Sequence, residues 1–282
     1  MQKEEIVKMQ KEVAILKTEL AKYQKLFAED GHIDTDEQQK LNDMQSIIRT
    51  IVIELDKKKK EFSIDAAPES GIAVKNGNKL TIKSNLVFYG TKAIADYCSN
   101  IVCELEQMWN EPDVCVNIDD INYKVVFEFT YQVNTVKEVT LLAQINKTPE
   151  NNFIRLEEKN YMGRSFMFLN DNNGCWITTD DLGQSTTAPH EMGHGYGQRH
   201  PDGDQRGKGQ PGIMSARGTL VDKEYQYNPK VKAGEKGGTL NPRKRKVTEA
   251  NVRAVVKGLK FNKDGIANVG NASNRIFDKW GR

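Results

Sequence analysis

Residues 190–200 hold three of the four histidines of the chain and read His190-Glu191-Met192-Gly193-His194-Gly195-Tyr196-Gly197-Gln198-Arg199-His200. On a helix, His190 and His194 lie one turn apart on the same face, so both imidazoles can reach one metal ion. Gly197 can take a positive φ, which would end the helix and turn the chain so that His200 reaches the same ion. Three protein ligands leave a fourth position open, as in catalytic zinc sites. The pattern predicts one Zn²⁺ held by these three histidines.

Glu191 stands between the first two histidines and projects beside the predicted ion without ligating it. A carboxylate in that place can take a proton from a metal-bound water and return it to a leaving amine. We therefore predict Glu191 as the catalytic base of a hydrolytic reaction. Two alternatives stay open: the cluster binds no zinc, or it binds zinc without hydrolysis because the cleft is blocked or the protein is latent.

The pattern HExxHxxGxxH resembles that of the metzincin clan of zinc endopeptidases, at every ligand position. By the same resemblance, Met214 is the methionine of the Met-turn, which forms a hydrophobic floor beneath the zinc. Pro201 follows the third histidine as in serralysins, but Ala216 replaces their tyrosine and their calcium repeats are missing. The resemblance implies an α+β, zincin-like metallopeptidase domain with a twisted mixed sheet and an active-site helix. It also implies an endopeptidase that hydrolyses peptide bonds through a zinc-bound water activated by Glu191.

Residues 165–178 predict a β-hairpin upstream of this helix, with its turn at Asn173-Gly174. In the metzincin clan, substrate binds as an added strand at the sheet edge, and residues 165–169 are the candidate edge. A core strand with Phe166 and Phe168 on one side is equally compatible. The segment after Met214, residues 216–220, is expected to wall the main specificity pocket.

The first sixty residues carry apolar side chains at alternating steps of three and four, a coiled-coil-like pattern. We predict an antiparallel α-helical hairpin over residues 1–61, followed by the peptidase domain over residues 62–282. The hairpin would serve as a docking or loading module for a secretion machine or chaperone, or simply as a helical extension packed on its own domain. The apolar residues of the two predicted helices are Ile6, Met9, Val13, Leu16, Leu20, Tyr23 and Phe27 in the first and Leu41, Met44, Ile48, Ile51 and Leu55 in the second.

The segment between these two helices, residues 30–37, resembles the second half of a calcium-binding EF-hand loop. Leu26 and Ala28 stand where oxygen ligands are needed, so we expect no calcium site. Asp34 is predicted instead to cap the second helix, with Glu37 completing a capping box. His32 is expected to be an exposed loop residue.

Beyond residue 62 the pattern alternates between strands and helices, as an α+β domain requires. The predicted strands cover residues 79–89, 114–133 with a break at 119–120, and 153–157, and the predicted helices cover residues 91–110, 136–144 and 248–259.

Composition limits the kinds of partner. The 282-residue chain has a net charge of +2, which gives no reason to expect a nucleic-acid partner, and no apolar stretch has the length of a membrane span. The basic run Arg243-Lys244-Arg245-Lys246 is interpreted as a solvated surface before a helix. Four cysteines without CxxC spacing are predicted to be reduced, mostly buried thiols. The expected partner is a protein or peptide substrate.

The N-terminus shows no Sec-type signal, so we expect synthesis in the cytoplasm and, in the leading hypothesis, export by a non-classical secretion system. The arrangement is loosely similar to exported bacterial peptidase toxins or effectors, which would imply an inhibitor or immunity protein. Two alternatives are an intracellular processing protease with a dedicated substrate and a non-proteolytic zinc-binding adaptor.

Overall fold

The computed structural model describes residues 2–27, 35–63, 72–146, 150–271, 273 and 275–282. The chain divides into two compact units, Met1–Ala67 and Pro68–Arg282.

The N-terminal unit consists of two helices, α1 (Gln2–Phe27) and α2 (Thr35–Ser63), which contact each other. Val13, Leu41 and Ile48 are buried, as the apolar pattern predicts for its inward face. None of the described helices is long and apolar enough to cross a membrane. The connection at residues 28–34, with the calcium-loop, His32 and Asp34 predictions, lies outside the described residues. The antiparallel hairpin and its docking role stay predictions.

The C-terminal unit is built around one mixed eight-stranded sheet with four helices among its described residues. The strands are β1 (Ile72–Asn76), β2 (Lys79–Tyr89), β3 (Cys115–Ile118), β4 (Ile121–Val133), β5 (Asn151–Glu157), β6 (Phe166–Met167), β7 (Asn173–Ile177) and β8 (Ile266–Asn268). The helices are α3 (Ala95–Asn110), α4 (Val136–Ile145), α5 (Thr187–Gly195) and α6 (Glu249–Val256).

The long strand β2 organises the sheet. It pairs in parallel with β4 and β5 and antiparallel with β1, and the strand order is β3-β4-β2-β5-β7-β6, with β8 joined to β1. Along this path β6 is therefore an edge strand, as predicted for this segment. The strand at residues 79–89 and the break between β3 and β4 are also confirmed. Asp119 and Asp120 both have positive φ at that break, which suits a tight hairpin turn.

Two apolar clusters cover the two faces of the sheet. The larger cluster joins β2 and β4 to α3, α5 and α6, and it includes Trp109, Phe127 and Trp176. The smaller joins Val87 and Phe153 to α4. Since α5 carries the histidine motif and lies in the larger cluster, the motif is fixed to the core.

The predicted turn at Asn173-Gly174 is wrong. Asn173 and Gly174 lie inside β7, Met167 pairs with Gly174, and the turn occupies residues 168–172. The glycine serves close packing: a Cβ at position 174 would stand 2.9 Å from the Phe166 carbonyl oxygen and 2.9 Å from the Trp176 indole nitrogen. Phe166 is buried against Phe277, as the core-strand alternative predicts.

The cysteine prediction is half right. All four thiols are free, but only Cys98 and Cys175 are buried, whereas Cys103 and Cys115 are exposed. Burial raises the pKa of Cys175 to about 11 and that of Cys98 to about 12, so both are protonated thiols at neutral pH.

Replacing Gly174 tests the packing beside the edge strand. Gly174→Ala should lower the free energy of unfolding by about 1–3 kcal/mol, because the added methyl overpacks a site bounded by backbone. Gly218→Ala is the matched control, since no atom lies within 4 Å of a Cβ there, and it should stay within about 0.5 kcal/mol. Urea denaturation of both variants measures this, and equal stability would contradict the close approach.

Candidate metal centre

The helix α5 begins at a strained residue that distant segments hold in place. Thr186, its N-cap, has φ 64°, a left-handed conformation that a β-branched residue rarely adopts. Its amide donates to Glu104 Oε1 at 2.7 Å, its hydroxyl donates to the Pro242 carbonyl at 2.7 Å, and the same hydroxyl accepts from Arg245 Nε at 2.9 Å. A nine-residue helix is too short to be stable alone, so these contacts decide where it starts.

The same helix ends at Gly195, and Gly197 takes a positive φ just after it, as predicted. Gly197 has φ 82° and donates to the His194 carbonyl at 2.9 Å, while Gln198 N donates to the Gly193 carbonyl at 2.9 Å. These two bonds form a Schellman motif, in which a left-handed residue satisfies the last carbonyls and reverses the chain. The reversal carries His200 back towards the helix.

The three histidines meet at their Nε2 atoms. His200 Nε2 lies 3.1 Å from His190 Nε2 and 3.1 Å from His194 Nε2. The opposite nitrogens face backbone carbonyls: His190 Nδ1 lies 2.6 Å from Ile213 O, and His194 Nδ1 lies 2.8 Å from Gln198 O. A carbonyl oxygen only accepts, so each Nδ1 carries the proton, and both Nε2 atoms present lone pairs.

This donor set fits a metal ion. The lone pairs of His190 Nε2 and His194 Nε2 both face His200 Nε2 at 3.1 Å, an arrangement that suits a cation between the three nitrogens. A tetrahedral zinc site with Zn–N bonds of about 2.0–2.1 Å would hold its nitrogens roughly 3.3–3.4 Å apart. Burial lowers the pKa of all three histidines, to about 4 for His194, so the neutral ligand form prevails at neutral pH. Among the described residues this is the only group of three or more histidine, cysteine, aspartate or glutamate side chains close enough to share one metal ion.

Glu191 is buried on the same helix, beside the histidine cluster. Its Oε2 accepts a hydrogen bond of 3.0 Å from the backbone amide of Met167 in β6. Burial raises the pKa of Glu191 to about 8, opposed by the charge of Arg245 and by the Met167 bond. The edge strand thus orients the carboxylate that the sequence predicts as the base.

Met214 lies beneath the helix that carries the histidines. It is buried, and its Sδ occupies the space that a Cβ on Gly193 would need, close to the ring of Trp109. Only a glycine at position 193 lets the two segments approach this closely. Ile213, which precedes Met214 in the chain, supplies the carbonyl that orients His190. The assignment of Met214 as a Met-turn residue stays a prediction.

A cavity of about 220 Å³ adjoins the histidine cluster. We call it the Arg245 cavity, and it is lined by Arg164, Ser165, Asp180, Thr187, His190, Glu191, His200, Ala216, Arg217, Gly218 and Arg245. Its wall includes three residues of the segment 216–220, which the sequence predicts to border a pocket.

Arg245 departs from the prediction of a solvated basic run. The run at residues 243–246 is not uniformly solvated, because Arg245 is only 4% exposed. Its backbone is extended and it stands two residues before the buried Val247, so both side chains point to the same side. This two-residue spacing between Arg245 and Val247 is the only sequence signal for the burial of Arg245, and alone it is too weak to predict a buried cation.

No protein-family model and no curated protein matches the chain. Among solved structures, the chain is similar to the crystal structure of archaemetzincin from Methanopyrus kandleri. The TM-score is 0.37 and the sequence identity 11%, over 65% of this chain and 97% of that one.

A matched pair of glycine variants tests how His200 is placed. Gly197 and Gly258 both have φ 82°, so an alanine at either position should cost roughly 1–2 kcal/mol of unfolding free energy. Only Gly197→Ala should also weaken zinc binding, by about tenfold or more, because it displaces the turn that returns His200. Denaturant unfolding of metal-free protein and competition with a chromophoric zinc chelator measure the two effects. Equal zinc affinity in both variants would contradict the role of the turn.

Proposed function

We propose that this protein is a zinc-dependent endopeptidase of the metzincin type, with His190, His194 and His200 as zinc ligands and Glu191 as the general base. The observation that carries the proposal is the convergence of three imidazole Nε2 atoms while carbonyl oxygens hold the protons on Nδ1 of two of the rings. Such outer bonds orient ligand histidines in metal sites. A zinc ion bound there would supply a Lewis acid and lower the pKa of a water molecule.

The protein's own groups supply the remaining steps. Glu191 lines the Arg245 cavity together with His190 and His200. The charge of a bound cation would lower the pKa of Glu191 from about 8, so that its carboxylate can take a proton from a water molecule in that space. The Met167 amide fixes the orientation of the carboxylate, so no reorganisation is needed before the proton moves. The same carboxyl group can then give the proton to the departing amine. His200 is exposed, which leaves the cluster accessible to a polypeptide substrate.

The proposal also gives roles to Met214 and to the edge strand β6. Met214 would act as the hydrophobic floor of the site, supported by its close packing against Gly193. A substrate strand would lie along β6, supported by its place at the end of the sheet. Non-classical export, a toxin or effector role, loading through residues 1–61 and an immunity partner remain predictions from the sequence.

The Glu191→Gln variant tests the proposed chemistry. It should still bind about one zinc per chain, because all three ligands remain, while its cleavage of casein should fall at least a hundredfold, roughly the contribution of a general base. Metal analysis and electrophoresis of digests measure the two quantities. Glu158→Gln is the control, since that carboxylate is exposed and pairs with Lys92 at the surface. Undiminished cleavage by Glu191→Gln, or a wild-type protein that binds no zinc, would refute the proposal.

A further inference from the structure

The Arg245 cavity has the size of a subsite. At about 220 Å³ it is smaller than the cavities of about 300–1,000 Å³ that hold drug-sized ligands, and it suits one side chain or chain end. Because His190, Glu191 and His200 line it, whatever enters it lies directly beside the reacting groups.

Arg245 is a buried cation without an ion pair. No carboxylate of the described residues lies within 4.0 Å of its guanidinium, although Glu191 and Glu104 act on it from farther away. Its Nε donates to the Thr186 hydroxyl, and its Nη1 donates to the Ser215 carbonyl at 3.1 Å. Its Nη2 makes no hydrogen bond to any described residue, which leaves a donor for a ligand. Burial lowers the pKa of Arg245 only to about 10, so the group is charged at neutral pH.

The burial of such a charge is costly unless an anion offsets it. The neighbouring Arg217 does not share this need, because its Nη2 lies 2.7 Å from Asp180 Oδ1. Asp180 is further occupied, as its Oδ2 accepts from the Ser165 amide. Arg164 adds a third guanidinium at the exposed rim. Among the residues that line the cavity, three guanidinium groups thus face two carboxyl groups, Asp180 and Glu191, and the lining carries an excess of positive charge.

We infer that the Arg245 cavity binds a carboxylate group of the substrate residue that adjoins the scissile bond, an inference that rests on the proposed peptidase function. The guanidinium of Arg245 is held by Thr186 and Ser215, so it is oriented before the substrate arrives, and a planar guanidinium matches a carboxylate well. The carboxylate can belong to an aspartate or glutamate side chain, as in an endopeptidase substrate, or to the C-terminus of the substrate, which would make the enzyme a carboxypeptidase. Cleavage-site mapping distinguishes the two.

The first test measures binding and needs no turnover. The zinc-loaded full-length protein is titrated with a hydroxamate that carries a carboxylate on a three-carbon chain, and with the same compound bearing a primary amide instead. The acid should bind about tenfold more tightly, as a charge-assisted bond does relative to a neutral one. Arg245→Gln should bring the two affinities within about twofold, whereas Arg253→Gln, a surface control, should leave the difference intact.

The outcomes separate this inference from the proposed function. If the wild-type protein binds zinc and takes both compounds equally well, the cavity assignment is wrong while the peptidase proposal stands. If it binds no zinc, both are wrong. Because the comparison of acid with amide uses wild-type protein, the inference can be overturned even if Arg245→Gln fails to fold.

The second test identifies the source of the carboxylate. Casein cleavage sites mapped by mass spectrometry should show aspartate or glutamate next to the scissile bond if a side chain enters the cavity. If the C-terminus enters instead, cleavage should fall near chain ends, and amidation of a peptide substrate should abolish it. Cleavage sites with neither feature would overturn the inference.

Discussion

The hydrogen bonds from two imidazole Nδ1 atoms to backbone carbonyls are the constraint on which the rest of the site depends. They turn the lone pairs of His190 and His194 towards His200, and the accepting carbonyls belong to Gln198 and Ile213, outside helix α5. The chain must therefore return to the helix twice. The first return places the Gln198 carbonyl just after the helix ends, and the second places the Ile213 carbonyl. Burial keeps the rings neutral, because a charged imidazolium would lose solvation there.

A second network ties the start of the helix to the cavity beside it. Thr186 is held in a costly left-handed conformation by Glu104 and Pro242, and its hydroxyl also accepts from Arg245. Strain of this kind, of order 1–3 kcal/mol, persists only where the surroundings over-determine it. The residue that positions the histidine helix therefore also positions the cation of the Arg245 cavity. The position of the histidine helix and the position of the Arg245 charge thus depend on one set of hydrogen bonds.

Much of the fold could be predicted, because its patterns are local. Strand β2, the break between β3 and β4, and the positive φ of Gly197 follow from residue types within a few positions of each other. The errors lie where a distant contact overrides the local pattern. Asn173-Gly174 has the composition of a turn, yet both residues lie in β7, because they pair in parallel with Phe153 and Ile154 of β5.

The residues that can meet at a metal ion follow from the sequence alone, because the spacing of His190, His194 and His200 on a helix and a glycine turn is a property of the local chain. Tertiary contacts set which nitrogen His190 presents, which amide orients Glu191, and the burial of Arg245 beside them. The orientation of His190 and the burial of Arg245 depend on segments far away in sequence, such as the one that supplies the Ile213 carbonyl. No local pattern encodes the neighbours that a basic residue acquires when the chain folds.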